Sequence, residues 1–129
     1  MYDRELLRER LLSVLEALER VPRRFSDIKS SSDFTDTESG VEHMDSICMI
    51  LIAVGEEFKT IDRKTDGELL ANYPAVDWRG VIGVRDFLAH GYFRINENQL
   101  FAICRDNVPP LIQTVRKMIA DMEQGIEED

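Results

Sequence analysis

Apolar residues recur every three or four positions along most of this 129-residue chain, and this spacing limits the folds it can adopt. In the first such stretch, Asp3 to Arg20, they are Leu7, Leu11, Val14, Leu15 and Leu18. This spacing places side chains on one face of an α-helix, whereas a half-buried strand needs strict alternation. No alternating segment flanked by hairpin turn signals occurs. The pattern predicts an all-α fold, an up-down bundle of four or five helices.

The second predicted helix, from Thr37 or Ser39 to about Lys59, should lie at the centre of the bundle. Its apolar residues span a wide face, which indicates burial on two sides: Val41, Met44, Ile47, Cys48, Leu51, Ile52, Val54 and Phe58. Gly55 lies inside this helix, where glycine costs about 1 kcal/mol relative to alanine. A glycine in such a position predicts a close crossing with another helix.

Capping and helix-breaking residues predict the other boundaries. Pro22 should end the first helix, and the polar segment 26–40 should be a loop. Thr65 or Asp66 should cap a short helix that ends at Tyr73, and Asp77 should cap a helix from Trp78 to about His90. Asn96 or Asn98 should start the next helical segment. Pro109 and Pro110 mark either a kink or the start of a new helix capped by Asn107.

Composition indicates one soluble globular domain over residues 1–129, with an acidic tail at 124–129. Apolar residues make up 43% and charged residues 32% of the chain, and a chain of this length buries roughly two thirds of its unfolded surface. Cys48 and Cys104 lie in apolar runs and should be reduced core residues. Two cysteines and two distant histidines do not make a zinc or iron–sulfur site, so no cofactor is expected. No leader or membrane-length apolar segment is visible, which predicts a cytoplasmic protein.

The formal charge of −9 argues against strong nucleic-acid binding. Five acids fall within the last nine residues, 121–129, whereas segment 85–105 holds three arginines against Asp86 and Glu97. The acidity therefore belongs mainly to the tail and loops. Nucleic-acid binding near residues 85–105 should be weak and sensitive to salt.

One segment concentrates chemically active side chains, Arg85, Asp86, His90 and Tyr92, at the end of the fourth predicted helix. Asp86 and His90 are four residues apart and share a helix face, so the carboxylate can orient the imidazole. Arg85 and His90 lie about 140° apart around the axis, so they meet only at a distorted helix end or across two subunits.

An arginine and a histidine can together cleave RNA without a metal. The imidazole moves a proton, and the guanidinium supports the charge on the phosphate. The alternative is that Arg85 pairs with Asp86 or another nearby acid, while His90 only caps the helix.

The segment from Arg85 to Tyr92 resembles the R-x4-H-x-Y motif of HepT-like toxins in the HEPN superfamily. The stretch LIAVGEE at 51–57 is similar to the family's IGEA region, and NYPAVDWRGVIGVR at 72–85 is similar to the segment that leads into its motif. Three blocks in the same order make the resemblance specific over nearly the whole chain, with residues 26–40 the least diagnostic part.

The resemblance implies an all-helical homodimer whose two Arg-His pairs line a composite cleft and act as a metal-independent ribonuclease, with Arg85 and His90 catalytic. It also implies a type VII toxin–antitoxin system. The cognate antitoxin would be a minimal nucleotidyltransferase that silences the toxin by transferring AMP to Tyr92. Asp86 stands where many relatives have asparagine, and a carboxylate there favours the imidazolium form of His90, which suits a general acid.

Several residues allow two interpretations. Glu56 is either a carboxylate that faces the site or a solvated helix residue. Trp78 and Phe87 should be core or dimer anchors rather than base-stacking platforms, and His43 should be an exposed surface residue. The alternative to a ribonuclease is a non-catalytic helical module that binds a nucleotidyltransferase partner or a nucleotide, which the net acidity favours.

Overall fold

The computed structural model describes residues 2–90 and 92–125, without the side chains of residues 89, 90 and 92. The fold is 81% helical and has no strand in the described residues, which confirms the all-α prediction. Its α-helices are α1 (Arg4–Phe25), α2 (Glu38–Lys64), α3 (Glu68–Ala71), α4 (Trp78–His90), α5 (Glu97–Ala102) and α6 (Val108–Glu123). Short 3-10 turns cover Ser31–Phe34 and Tyr92–Arg94, and a π-helical turn covers Ile103–Asn107. From residue 126 onward, the predicted acidic tail lies outside the described residues.

Helix α2 is the central element, in contact with α1 on one side and α4 on the other, as its wide apolar face predicts. It begins where predicted, because the Thr37 hydroxyl accepts a hydrogen bond from the Gly40 amide at 2.9 Å. Helix α4 runs antiparallel to it, since the rings of Phe58 and Trp78 lie 4.8 Å apart while Glu56 contacts Arg85 further along α4. The face of α2 that packs on α4 therefore includes Glu56 and Phe58.

The core lies among α1, α2 and α6. Its fully buried side chains include Leu11, Leu18, Val21, Phe34, Ile47, Phe58, Ile61, Leu100, Val115 and Met118. Two exposed ion pairs, Arg8 with Glu123 at 2.6 Å and Arg116 with Glu19 at 2.8 Å, show that α1 and α6 are antiparallel. Such exposed pairs contribute at most about 1 kcal/mol each, so apolar burial stabilises the bundle.

Both cysteines are buried and free, as predicted. Burial raises the pKa of the Cys48 thiol to about 11 and that of Cys104 to about 12. Because the thiolate is the reactive form, both residues are inert parts of the core at neutral pH.

The prediction that Pro22 ends the first helix is wrong, because α1 continues to Phe25. Proline lacks the N–H that would bond to the carbonyl four residues earlier. A proline inside a helix therefore destabilises the helix by about 3 kcal/mol. Phe25 is held by aromatic packing, with ring centroids 6.3 Å from Phe34 and 5.1 Å from Phe101. Tertiary contacts thus extend the helix past its proline.

The connection between α2 and α3 also differs from the prediction. Helix α2 extends to Lys64, and the Thr65 hydroxyl donates back to the Ile61 carbonyl at 2.9 Å instead of capping the next helix. Asp66 and Gly67 adopt positive φ angles of 53° and 77°, which turn the chain into the single-turn helix α3. A left-handed turn therefore replaces the predicted side-chain cap.

Two predicted caps are confirmed in the second half of the chain. Asp77 accepts from the Gly80 amide at 3.2 Å at the start of α4. The side chain of Asn96 accepts from the amides of residues 98 and 99, at 2.9 and 3.2 Å, at the start of α5.

The junction between α5 and α6 is a wide π-helical turn. Pro109 and Pro110 occupy the first turn of α6, but the side chain of Asn107 makes no capping hydrogen bond, contrary to prediction. Both prolines lack the N–H that would continue the ladder, and a wider turn relieves the contact between their rings and the preceding carbonyls.

The segment 26–40 is only partly a loop. Phe34 in its 3-10 turn is fully buried, and α2 begins within the segment at Glu38. A Cβ on Gly40 would collide with the Asp33 carbonyl oxygen, so the turn packs directly on the first turn of α2. No helix within the described residues is long and apolar enough to span a membrane.

Candidate functional site

The site is organised by a close crossing of α2 and α4 at Gly55. A Cβ at this position would lie 2.8 Å from the Val81 carbonyl oxygen and 3.3 Å from the Val84 side chain. This confirms the close crossing predicted from a glycine inside a long helix. The backbones meet here, so the side chain of the next residue in α2 reaches the surface of α4.

That next residue is Glu56, and its Oε2 lies 3.2 Å from Nε of Arg85. The side chains are 47% and 50% exposed, so both are open to solvent and to a ligand. Of the two interpretations of Glu56, the structure therefore supports a carboxylate that faces the site. The alternative interpretation of Arg85 was that it pairs with Asp86 or another nearby acid. The structure shows such a pair, and the acid is Glu56 of the neighbouring helix α2.

The ion pair uses one side of the Arg85 guanidinium. The contact is made through Nε, whereas Nη1 and Nη2 form the end that can bind two phosphate oxygens. An exposed pair of this kind contributes at most about 1 kcal/mol to stability. What the pair does show is where Arg85 lies, with its Nε beside the Glu56 carboxylate.

The remaining motif residues are less completely described. Asp86 is exposed on α4, and α4 continues to His90, so these two positions are one helical turn apart. The side chains of His90 and Tyr92 lie outside the described residues, as does residue 91. The pairing of Asp86 with His90 and the approach of Arg85 to His90 therefore stay predictions.

The aromatic residues of α4 are partly buried anchors. Trp78 packs on Phe58, and its Nε1 donates to the Tyr73 carbonyl at 2.9 Å. Phe87 packs against the apolar core. Both observations support the anchor interpretation over base stacking.

Tyr73 ties the connection before α4 to α6. Its hydroxyl donates to Oδ2 of Asp121 at 2.7 Å. This bond, together with Lys117, holds the pKa of Asp121 below its usual range. The start of α4 is thereby fixed to the rest of the bundle.

The charge around the site is close to neutral. Arg105 makes two hydrogen bonds to Asp106, at 2.8 and 2.9 Å, which raise the pKa of Arg105 and lower that of Asp106. The basic surplus of segment 85–105 is therefore offset by the next residue. Arg79 and Arg94 are exposed and supply the other positive charges near α4.

The site lies on an open surface. One apolar cavity of about 380 Å³ lies between α4 and the start of α6, above Leu51 and Val54 of α2. A second, of about 390 Å³, lies between α1 and α2 around Arg10 and Glu57. Neither is lined by Glu56 or Arg85. An open site suits a polymer backbone better than a small enclosed molecule.

His43 lies at the surface, as predicted, although it is less exposed than expected. Its Nδ1 lies 2.6 Å from the Ser39 carbonyl oxygen, and its Nε2 lies 3.7 Å from Asp27. The ring belongs to the start of α2 and has no part in the site at α4. Among the described residues there is no cluster of three or more histidine, cysteine or acidic side chains suited to a metal.

Comparison with known proteins gives two matches. The model of the family described as ribonuclease HepT-like matches residues 14–118, a range that includes Glu56 and all four motif residues. A candidate RNase of Methanocaldococcus jannaschii is 33% identical over 73 residues. That alignment covers 57% of this chain and 57% of the relative, so the match spans just over half of the relative's length. No solved structure gives a significant match.

Proposed function

We propose that this chain, which belongs to the HepT-like ribonuclease family of the HEPN superfamily, is a metal-independent RNA endonuclease that uses Arg85 and His90. The observation that supports this most is the half-exposed side chain of Arg85, paired with Glu56 on an open surface. Its free end binds the phosphate and stabilises the charge that develops on the phosphate oxygens during cleavage. His90 transfers a proton in the same step.

The cleavage uses the ribose itself as the nucleophile. The 2′-oxygen attacks the adjacent phosphorus, and the bond from phosphorus to the 5′-oxygen breaks. RNA incubated with the protein in EDTA should therefore yield 2′,3′-cyclic phosphate and 5′-hydroxyl ends. End-group analysis of the fragments tests the assignment, because a metal-dependent hydrolysis would stop in EDTA.

A homodimer built around α4 fits this proposal. The main packing partner of α4 is α2, and Val81, Ile82, Val84 and Phe87 are only partly buried. Phe93, just beyond α4, is 96% exposed. A second copy on this side would cover apolar surface and bring Arg85 of one chain near His90 of the other. It would also double the number of arginines facing the RNA, against a chain charge of −9.

Regulation by AMP transfer belongs to the same proposal, with this chain as the toxin and a minimal nucleotidyltransferase as its antitoxin. The Tyr92 hydroxyl attacks the α-phosphate of ATP, and pyrophosphate leaves. Each AMP adds bulk and a negative phosphate two residues from His90, which repels and blocks the RNA backbone.

Replacing Tyr92 with phenylalanine should abolish this modification. The wild-type chain, co-expressed with a minimal nucleotidyltransferase of the proposed kind, should gain mass in units of AMP, and Tyr92→Phe should gain none. Intact-protein mass spectrometry measures both. Tyr73→Phe is the matched control and should be modified like wild type, because the Tyr73 hydroxyl is hydrogen-bonded to Asp121. Equal modification of Tyr92→Phe and wild type would contradict the assignment.

The Asp86→Asn variant tests the role of the acid before His90. Without the carboxylate, the imidazolium form of His90 is less favoured, so His90 loses its proton at a lower pH. Most of the activity should remain, and the pH optimum should move to lower values. The rate of RNA cleavage across pH measures this. Asp106→Asn removes an acid paired with Arg105 and should leave the optimum in place. An unchanged profile in Asp86→Asn would refute the orienting carboxylate.

The second candidate function is a non-catalytic module that binds a nucleotidyltransferase or a nucleotide. Two observations favour it, the net charge of −9 and the neutralisation of Arg85 by Glu56. In that case the chain would bind its partner without cleaving RNA, with or without His90.

A further inference from the structure

Cleavage of RNA by its own 2′-hydroxyl needs two proton transfers. A base must take the proton of the hydroxyl, and an acid must protonate the departing 5′-oxygen. In the function proposed above, His90 is the acid, and Asp86 is the carboxylate proposed to favour its imidazolium form. The base is then unassigned among the residues of the motif.

Glu56 lies where such a base would be needed. Its carboxylate is 3.2 Å from Nε of Arg85, and a phosphate bound at the other end of the same guanidinium would lie beside it. The attacking 2′-hydroxyl is on the ribose that carries this phosphate, so it would also lie close to the Glu56 carboxylate. With 47% of its side chain exposed, Glu56 is accessible to the ribose.

The position of Glu56 is set by rigid elements. It follows Gly55, where α2 and α4 approach so closely that a Cβ would lie 2.8 Å from the Val81 carbonyl oxygen. Glu57, the next residue, points to the other side of α2, where its carboxylate binds Nη1 of Arg10 at 2.5 Å. Of two adjacent glutamates, only Glu56 pairs with an arginine of α4 among the described residues.

The charged groups near Glu56 fit the role. Arg85 contacts it from α4, and Lys59 lies one turn further along α2. The contact with Arg85 places a cation beside the Glu56 carboxylate, and an ionised carboxylate is the form that accepts a proton. Because the pair is exposed, it adds little to stability, and its removal should leave the fold intact.

We propose that Glu56 is the general base of the reaction, a proposal that rests on the ribonuclease function above. The proton of the 2′-hydroxyl passes to the Glu56 carboxylate as the 2′-oxygen bonds to phosphorus. The bond from phosphorus to the 5′-oxygen breaks, and the imidazolium of His90 gives its proton to that oxygen. The products are a 2′,3′-cyclic phosphate, a 5′-hydroxyl, protonated Glu56 and neutral His90, so atoms and charge balance.

The test compares Glu56→Gln with Glu57→Gln in the full-length chain, purified without the nucleotidyltransferase. Glutamine has nearly the same shape as glutamate and can lie beside Arg85 in the same way, but it takes no proton at neutral pH. Steady-state cleavage of an RNA oligonucleotide with a fluorophore and a quencher, with the RNA in excess, gives kcat, KM and the pH profile. Thermal unfolding shows that both variants fold.

The Glu56→Gln variant should lose about 100-fold or more in kcat, in the range typical of a general base. Its KM should be unchanged or lower, because a negative charge near the phosphate is gone. The rise of its rate on the acidic side of the pH profile should disappear. Glu57→Gln should match wild type in kcat and in the shape of its profile.

Two further results separate the failure of this inference from the failure of the proposed function. If wild type cleaves RNA, Arg85→Ala does not, and Glu56→Gln keeps both its rate and its pH profile, the base is another group and only this inference is wrong. If wild type cleaves no RNA, the ribonuclease function fails, and the role of Glu56 falls with it.

Discussion

The His90→Ala variant is expected to lose at least about 100-fold in RNA cleavage and to be harmless in cells in which the wild-type chain stops growth. A general acid contributes about 10²- to 10⁴-fold to such a step, and no other histidine is close enough in the chain to replace it. Growth after induced expression, without the nucleotidyltransferase, measures the effect in cells. Cleavage of an RNA oligonucleotide by the purified protein measures it directly.

His43→Ala is the matched control, since it removes the other histidine of the chain. Its ring is tied to the Ser39 carbonyl at the start of α2, so the variant should stay toxic and active. Arg85→Lys keeps the positive charge but loses the planar fork that binds two oxygens, and it should retain only a minor part of the activity. If wild type and His90→Ala are equally harmless and neither cleaves RNA, the chain is a binding module.

The helices could be predicted from the sequence because local spacing and caps determine most of them. The stripe of Leu7, Leu11 and Leu18, the Thr37 cap and the Asp77 cap all depend on residues within a few positions of one another. The errors occur where distant residues decide the outcome. Pro22 lies inside α1 because Phe25 packs against rings that come from elsewhere in the chain.

The same distinction between local patterns and distant contacts applies to the site. Arg85 and Asp86 follow from the motif, and a crossing at Gly55 follows from a glycine inside a helix. The pairing of Glu56 with Arg85 does not follow, because the two residues are far apart in the sequence and meet only through the packing of α2 on α4. The sequence indicated only that Glu56 directly follows the glycine at the predicted helix crossing. That position left two interpretations open, a carboxylate that faces the site or a solvated helix residue.

Replacing Gly55 with alanine should therefore affect both stability and activity. The added Cβ would meet the Val81 carbonyl oxygen at 2.8 Å, and a backbone oxygen cannot rotate away as a side chain can. Overpacking of this kind costs about 1–3 kcal/mol, and the better helix propensity of alanine returns about 1 kcal/mol. We expect a net loss of up to about 2 kcal/mol in the free energy of unfolding, measured by urea titration.

The loss of activity in Gly55→Ala should exceed what its stability implies. To relieve the contact, α4 must move away from α2, and that movement separates Arg85 from Glu56 across the 3.2 Å ion pair. A displacement of about 1 Å in a catalytic group can cost about 100-fold in rate. Gly83→Ala is the control on α4, because its added Cβ meets no atom within 4 Å and should stabilise the helix. A Gly55→Ala variant as stable and as active as wild type would contradict both the close crossing and its role in placing Arg85.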